Sequence, residues 1–294
     1  MTMPLARMHR FDPIPSLRTW GTTPHERRKS VWRIVVAVGL IGLSHLAAAA
    51  ADLPWRDAQQ MILVLTADWN ASQAMQRTYV RSANGWVAAA PAVPVVIGRS
   101  GAAWGIGLHP PRDGLQKQEG DGRSPAGVFD VGSAFGYAPE SATALPYAAM
   151  DANDWCIDDP DSPHYNRLVD SADVGAAAVA RSTEPMRRDL HAEGDQRYRI
   201  GFVIEHNAIA SKGAGSCIFA HLWKSAGSAT AGCTAMAEGD MQTLLGWLDP
   251  AMHPLFVLLP VEEYRRLQLA WNLPAVEAVL CANPDPESRP QSCQ

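Results

Sequence analysis

The sequence predicts a β-rich mixed α/β domain with a few short helices, and three observations lead to it. Short apolar runs with β-branched residues recur along the chain, as in residues 61–66. Gly- and Pro-containing polar stretches separate these runs, as expected of turns and loops. Clear helical periodicity, in contrast, first occurs near residue 241. With 294 residues and 47% hydrophobic residues, the chain can bury one large core.

The first half of the chain predicts mainly strands. Four segments have strand-like composition: residues 61–66, 76–81, 93–98 and 127–132. The first two enclose a polar turn region and predict an opening hairpin. Residues 151–173 are polar and rich in Asp, and they predict a long surface loop.

The second half alternates strands and helices. Residues 198–205 and 216–222 are strand candidates, and residues 254–260 form another one bounded by prolines. One helix is predicted by apolar residues at the spacing of a single helix face: Met241, Leu244, Leu245 and Leu248. It ends before Pro250, and residues 261–271 predict a closing helix. One domain over residues 57–280, followed by a Pro-rich tail at 281–294, is the economical organisation.

Residues 1–51 predict a signal peptide with a long n-region. A basic stretch that includes Arg27, Arg28 and Arg33 precedes an apolar run at 34–46 and an alanine tract at 47–51. The apolar run is too short to cross a bilayer as a helix, which takes roughly 20 residues. The sequence therefore predicts an exported protein, periplasmic or otherwise associated with the cell wall. An uncleaved membrane anchor is the alternative, and this segment is the only membrane contact expected.

Charge and composition exclude some partners. A formal net charge of -5 and a pI near 6.0 argue against a broad grip on nucleic acid, which needs a clustered basic face. No nucleic-acid partner, no metal and no cofactor are predicted.

Five cysteines lie beyond the predicted signal peptide, at positions 156, 217, 233, 281 and 293. An oxidising compartment favours pairing, and an odd number leaves one thiol over. If Cys233 is the working thiol, the other four allow three pairings. We favour Cys281 with Cys293, because both lie in the Pro-rich tail. Cys156 and Cys217 could equally be small buried hydrophobic residues.

Residues 215–236 contain the strongest chemical signal, a histidine and a cysteine close in sequence. Cysteine attacks as the thiolate and needs a nearby base, which His221 could provide for Cys233. Gly232 would allow a substrate carbonyl to approach the backbone closely. The N–H groups of Gly232 and Thr234 are the predicted oxyanion donors.

The same stretch resembles the signature of the L,D-transpeptidase (YkuD-like) family, a histidine followed by a Ser/Thr-x-Gly-Cys block. Here the matching residues are His221 and residues 230–233, Thr-Ala-Gly-Cys. Further segments resemble an exported branch of that family: residues 102–105, 119–129, 155–166 and 246–250. The likeness therefore covers most of the chain after the signal peptide.

The resemblance implies a β-sandwich-like catalytic domain and a two-step acyl transfer on peptidoglycan stem peptides. Cys233 would attack the carbonyl of the third stem residue and expel the terminal D-alanine, while His221 acts as the base. A backbone carbonyl would hold the other imidazole nitrogen. A second stem amine then resolves the thioester into a cross-link, and water would make the enzyme an L,D-carboxypeptidase.

One position departs from the family pattern. Many members have an Arg two residues after the catalytic cysteine, where this chain has Ala235. Candidates for gripping a stem carboxylate instead are Arg123, Lys212 and Lys224. Further candidate substrate contacts are Thr230, Trp223 and His206.

Three other interpretations use the same residues. A catalytically silent wall-binding module would keep the fold, and the missing Arg favours it. A zinc site would use Cys217, His221, Cys233 and His206, but their spacing matches no compact zinc pattern. A papain-like peptidase is disfavoured because its cysteine normally precedes its histidine.

Overall fold

The computed structural model describes residues 53–275, and within that range the chain is β-rich with a few short helices. The strands are β1 (Gln60–Thr66), β2 (Gln73–Ser82), β3 (Gly85–Ala88), β4 (Val93–Val96), β5 (Ala102–Trp104), β6 (Ser124–Gly136), β7 (Tyr147–Ala149), β8 (Asp154–Cys156), β9 (Leu168–Asp170), β10 (Glu184–Pro185), β11 (Ile200–Ile204), β12 (Phe219–Leu222), β13 (Thr234–Met236) and β14 (Leu255–Pro260). The helices are α1 (Ser171–Val174), α2 (Ala176–Val179), α3 (Arg188–His191), α4 (Glu238–Trp247) and α5 (Val261–Leu267), with a short 3₁₀ turn at Pro250–Met252.

Eight strands close into a barrel. Their order is β1-β14-β6-β11-β12-β13-β4-β2, and β2 pairs back onto β1. Strand β3 extends from β2, while β5 and β7 pair with β6. The predicted β-rich fold with a few short helices is confirmed. The finer expectation of a sandwich is not confirmed, because the main sheet closes on itself.

Strand β1 shows why the barrel holds together. All of its residues are buried. It pairs with β14, which runs parallel to it, and with the antiparallel β2. A strand covered on both faces is expected to be continuously apolar, as most of β1 is. Helix α4 buries Met241, Leu244 and Leu245, so the predicted apolar stripe is confirmed. The opening hairpin is also confirmed, with Met61 opposite Tyr79.

The prediction of a plain surface loop over residues 151–173 is wrong. This segment contributes β8 and β9 to a small three-stranded sheet in the order β10-β8-β9. The ladders are only two or three residues long, too short to show alternation in the sequence. Two of the Asp residues stabilise turns. Asp151 accepts the N–H of Asn153 at 2.7 Å, and Asp159 accepts the N–H of Asp161 at 3.1 Å.

The predicted signal peptide at 1–51 and the tail at 281–294 lie outside the described residues, and so does the expected Cys281–Cys293 pair. Within residues 53–275 the structure contains no helix with the length and apolar character needed to span a bilayer.

Candidate active site

The barrel brings His221 and Cys233 to one place through two adjacent parallel strands. His221 lies within β12, and Cys233 directly precedes β13. In this pairing His221 is opposite Ala235, which places Cys233 two residues back along the neighbouring strand, at the level of Phe219. The two side chains line the same cavity, which has a volume of about 330 Å³.

His221 is buried and its ring orientation is fixed. Its Nδ1 lies 2.8 Å from the carbonyl oxygen of Leu222. A carbonyl only accepts, so Nδ1 carries the proton and Nε2 is the basic nitrogen. A backbone carbonyl thus takes the place that an acidic residue has in other triads, as the resemblance implied.

Cys233 is the one free cysteine among the described residues, and it is buried. Its thiol donates to the carbonyl oxygen of Cys217 at 3.5 Å, and its sulfur accepts the Phe219 N–H at 3.3 Å. The latter contact is available to the thiolate as well, because an N–H donor stabilises negative charge on sulfur.

The resting pair is neutral. Burial raises the pKa of the Cys233 thiol to about 12, and the nearby charge of Glu184 adds to the rise. Burial lowers the pKa of His221 to about 4. Neither residue is therefore charged at neutral pH.

Two buried hydroxyls hold the segment that precedes Cys233. Thr230 donates from Oγ1 to the carbonyl oxygen of Cys233 at 2.6 Å and accepts the Gly232 N–H at 3.1 Å. Ser124 donates from Oγ to the Gly232 carbonyl at 2.6 Å and accepts the Gly98 N–H at 3.0 Å. Thr230 lines the cavity as predicted, but its hydroxyl is committed to the backbone.

These bonds change the expected oxyanion donors. The Gly232 N–H is committed to Thr230, and Thr234 is a buried strand residue. The backbone N–H of Cys233 itself, in contrast, has no acceptor within the described part of the chain. A β-carbon on Gly232 would lie 3.0 Å from the Arg123 carbonyl, so glycine is needed here for the packing of two loops.

A network of charges forms one wall of the cavity. Arg188 donates to Glu184 at 3.0 Å and to Asp195 at 2.9 Å, and Arg197 also donates to Asp195 at 2.8 Å. Burial alone would raise the pKa of Asp195, but the hydrogen bonds from Arg197 and Arg188 outweigh it and hold that pKa well below its usual range. Both arginines are thereby fixed in the lining of the cavity that also contains Cys233.

Lys117 and Glu119 also line the cavity. Lys117 is buried and donates to Asp121 at 2.7 Å. Glu119 accepts from Ser216 at 2.6 Å and from Tyr165 at 2.5 Å. The cavity therefore presents charged side chains of both signs, each held by a hydrogen bond or ion pair.

Arg123 is placed differently from the prediction. Its guanidinium donates to the carbonyl oxygens of Trp69 and Ala102 at 3.0 and 2.9 Å, and to Asn70 Oδ1 at 3.2 Å. It is not among the residues that line the cavity. The side chain joins loops, and Arg188 and Arg197 are the arginines at the cavity.

The other residues predicted to contact substrate, Trp223, Lys224, Lys212 and His206, do not line the Cys233 cavity. Trp223 and Lys224 line a larger neighbouring cleft of about 820 Å³, which shares Arg188 and Arg197 with the Cys233 cavity. Lys212 is exposed and pairs with Asp161 at 2.5 Å.

His206 is buried outside the cavity and holds two loops together. Its Nδ1 accepts the Ile106 N–H at 3.2 Å, and its Nε2 donates to the Ala214 carbonyl at 2.9 Å. Burial lowers its pKa to about 4.

Cys217 forms a disulfide with Cys156, which removes it from the set of thiolates that a zinc site would need. This bond is the pairing that would remain if Cys281 and Cys293 were joined. Within residues 53–275 no group of three or more His, Cys, Asp or Glu side chains is arranged to hold a metal ion.

Sequence reasoning missed Tyr198 and Glu184. Tyr198 is buried in the cavity, and its ring centroid lies 5.0 Å from that of His221 in an edge-to-face contact. Glu184 belongs to β10, far from His221 in the sequence. No local pattern marks either residue, because the contacts come from the pairing of distant strands.

Comparison with models of known protein families, with curated proteins and with solved structures gives no match. The resemblance to L,D-transpeptidases therefore depends on the sequence motifs quoted above.

Proposed function

We propose that this protein is an exported cysteine acyltransferase of the L,D-transpeptidase type, acting on peptidoglycan tetrapeptide stems in the periplasm or cell wall. One observation carries the proposal: Cys233 and His221 line one cavity, and the Leu222 carbonyl fixes the imidazole so that Nε2 is its basic nitrogen. The Cys156–Cys217 disulfide is consistent with an oxidising compartment.

In the acylation step, Cys233 attacks the carbonyl carbon of the third stem residue. The thiol proton moves to Nε2 of His221, and a tetrahedral intermediate forms whose oxyanion the Cys233 N–H can stabilise. The C–N bond to D-alanine then breaks, and His221 returns the proton to the leaving amine. The product is a thioester at Cys233.

In the second step, the amine of another stem attacks the thioester carbonyl. His221 takes a proton from that amine, the C–S bond breaks, and the proton returns to the sulfur. An amide cross-link results, whereas attack by water would release a tripeptide. Fixed Arg188 and Arg197 are suited to hold a stem carboxylate beside Cys233.

The experiment is intact-mass analysis of the purified protein after incubation with a tetrapeptide-stem muropeptide. We expect an acyl adduct and a muropeptide dimer with the wild type, and neither with Cys233→Ala or His221→Gln. His164→Gln is the matched control, because His164 does not line the cavity. A tripeptide product without dimer would identify a carboxypeptidase instead.

A wall-binding module is the second candidate function, and the raised pKa of Cys233 is the observation that favours it. A module of this kind would bind the muropeptide in wild type and Cys233→Ala alike, with no adduct and no product. That result would overturn the acyltransferase proposal.

A further inference from the structure

Glu119 is a carboxylate of the Cys233 cavity that is held through one of its two oxygens. Its Oε2 accepts the hydroxyl of Ser216 at 2.6 Å and that of Tyr165 at 2.5 Å, and both of these residues are buried. The backbone N–H of Glu119 donates to the Gly213 carbonyl at 2.9 Å. These contacts fix the position of the carboxylate in the lining of the cavity.

Among the described residues, three carboxylates line this cavity, and Glu119 differs from the other two. Glu184 accepts from the guanidinium of Arg188 at 3.0 Å. Asp158 accepts hydrogen bonds on both of its oxygens, at 2.8 and 2.9 Å on one and at 2.5 Å on the other. Glu119 forms no ion pair within residues 53–275, and its Oε1 accepts no hydrogen bond there. This oxygen is left for a ligand.

The cations of the cavity are paired with other acidic residues. The ammonium of Lys117 donates to Asp121 at 2.7 Å, and the two arginines of the cavity both donate to Asp195. The carboxylate of Glu119 is half-buried and therefore partly removed from water. Because such a charge is stable when an opposite charge pairs with it, the cavity is suited to a ligand that brings an ammonium.

The substrate of the proposed reaction carries an ammonium. In the second step a stem amine attacks the thioester, and that amine belongs to the side chain of the third stem residue. Donor and acceptor stems have the same composition, so the donor stem also carries this amine on the residue whose carbonyl Cys233 attacks. Ser216, which donates to Glu119, directly precedes Cys217, whose carbonyl oxygen accepts the Cys233 thiol at 3.5 Å. Two successive residues thus connect the carboxylate to the sulfur.

We propose that Glu119 is a specificity-determining residue, whose Oε1 binds the side-chain ammonium of the third residue of the donor stem while Cys233 attacks the carbonyl of that same residue. The contact selects stems with a free amine over stems whose amine is already part of a cross-link. It is an ion pair in which no proton is transferred and no covalent bond forms. The inference rests on the proposed function, and it is tested by binding without turnover.

The experiment is isothermal titration calorimetry of the purified protein carrying Cys233→Ala, which binds the ligand without acylation. The ligands are the tetrapeptide-stem muropeptide and the same muropeptide with its stem amine acetylated, which removes the positive charge. Glu119→Gln removes the negative charge but keeps an oxygen for the hydroxyls of Tyr165 and Ser216. Glu262→Gln is the matched control, because Glu262 is exposed on α5 and does not line the cavity.

In the Cys233→Ala protein, acetylation is expected to weaken binding about tenfold, because a hydrogen bond between charged groups is lost. Glu119→Gln in that background should bind the unmodified muropeptide about tenfold more weakly and should no longer distinguish the two ligands. Glu262→Gln should retain the preference for the free amine.

Equal weakening of both ligands by Glu119→Gln is the result expected of a merely structural role, and it would overturn the proposal. If Glu119→Gln does not fold, the two ligands decide on the Cys233→Ala protein alone: preference for the free amine supports the contact, and equal binding refutes it. Binding without this preference contradicts only the role of Glu119, whereas failure to form the acyl adduct contradicts the acyltransferase proposal, so the two failures are distinguishable.

Discussion

The carbonyl oxygen of Cys217 accepts the thiol of Cys233 at 3.5 Å, while the sulfur of Cys217 is bonded to Cys156. Because β10 pairs with β8 at Cys156, the disulfide also ties Glu184 to the strand that carries His221. The bond therefore connects two segments that line the cavity, one with Glu184 and one with Cys217.

Loss of this disulfide is expected to damage both stability and site. The bond joins residues 61 apart, and removing such a cross-link lowers the free energy of unfolding by about 4 kcal/mol in the chain-entropy treatment. We expect the double variant Cys156→Ala/Cys217→Ala to unfold at lower urea concentration and to lose acyl-adduct formation. A double variant that retains wild-type stability and adduct yield would show that the disulfide has neither role.

Thr230 is expected to act through its hydroxyl. Thr230→Val keeps the shape of the side chain but leaves the Gly232 N–H without its acceptor, which costs about 1–3 kcal/mol of stability. The Cys233 segment should loosen, and the rate of adduct formation should fall. Thr230→Ser restores the hydroxyl and should recover most of that rate. Urea unfolding and adduct kinetics measure the two effects, and equal behaviour of Val and Ser would refute the assignment.

Acid should destabilise the fold through His221. An unfolded histidine binds a proton below pH 6.5, whereas the pKa of His221 in the fold is lowered to about 4. Between these values the unfolded state holds more protons, so stability is complete above pH 6.5 and is lost as pH falls towards 4. The loss is up to about 3 kcal/mol. Urea unfolding at several pH values should show a smaller acid loss in His221→Gln than in the wild type, and an equal loss in the two proteins would contradict this role of His221.

Replacement of Arg197 is expected to change KM, whereas replacement of Arg123 is expected to change only stability. Arg197→Gln removes a cation from the cavity and is expected to raise KM for a tetrapeptide stem. Arg123→Gln removes hydrogen bonds to two backbone carbonyls, so it should lower stability by about 1–3 kcal/mol and leave KM unchanged. Steady-state kinetics and urea unfolding of both variants check this, and a raised KM in Arg123→Gln would return that residue to the substrate site.

The sequence predicts those elements whose pattern is local. The apolar run of β1 and the stripe of α4 are visible because burial on a strand or helix has a fixed period. Strand β12, expected from residue 216, begins only at Phe219, because Cys217 adopts a positive φ of 55°. That backbone conformation follows from tertiary contacts that no local pattern reveals.

In the candidate site, too, residues in a local motif could be predicted, and residues brought together by the fold could not. His221 and Cys233 are predicted from a local motif, a histidine followed by a Ser/Thr-x-Gly-Cys block. The two arginines at the cavity could not be chosen from the sequence, because Arg123, Arg188 and Arg197 differ only in the partners that the fold provides. Tyr198 escaped notice because the antiparallel pairing of β11 and β12 creates its contact with His221.

His221 lies in β12, and Cys233 directly precedes β13. Hydrogen bonds fix each of them, from the His221 ring to the Leu222 carbonyl and from Thr230 to the Cys233 carbonyl. Residues 224–227 of the connection between them are exposed. The length of that connection does not determine where the imidazole and the sulfur lie in the cavity. The crossover is consequently a place for loop grafting, where segments of different length and charge can be exchanged beside the neighbouring cleft while the positions of His221 and Cys233 stay constant.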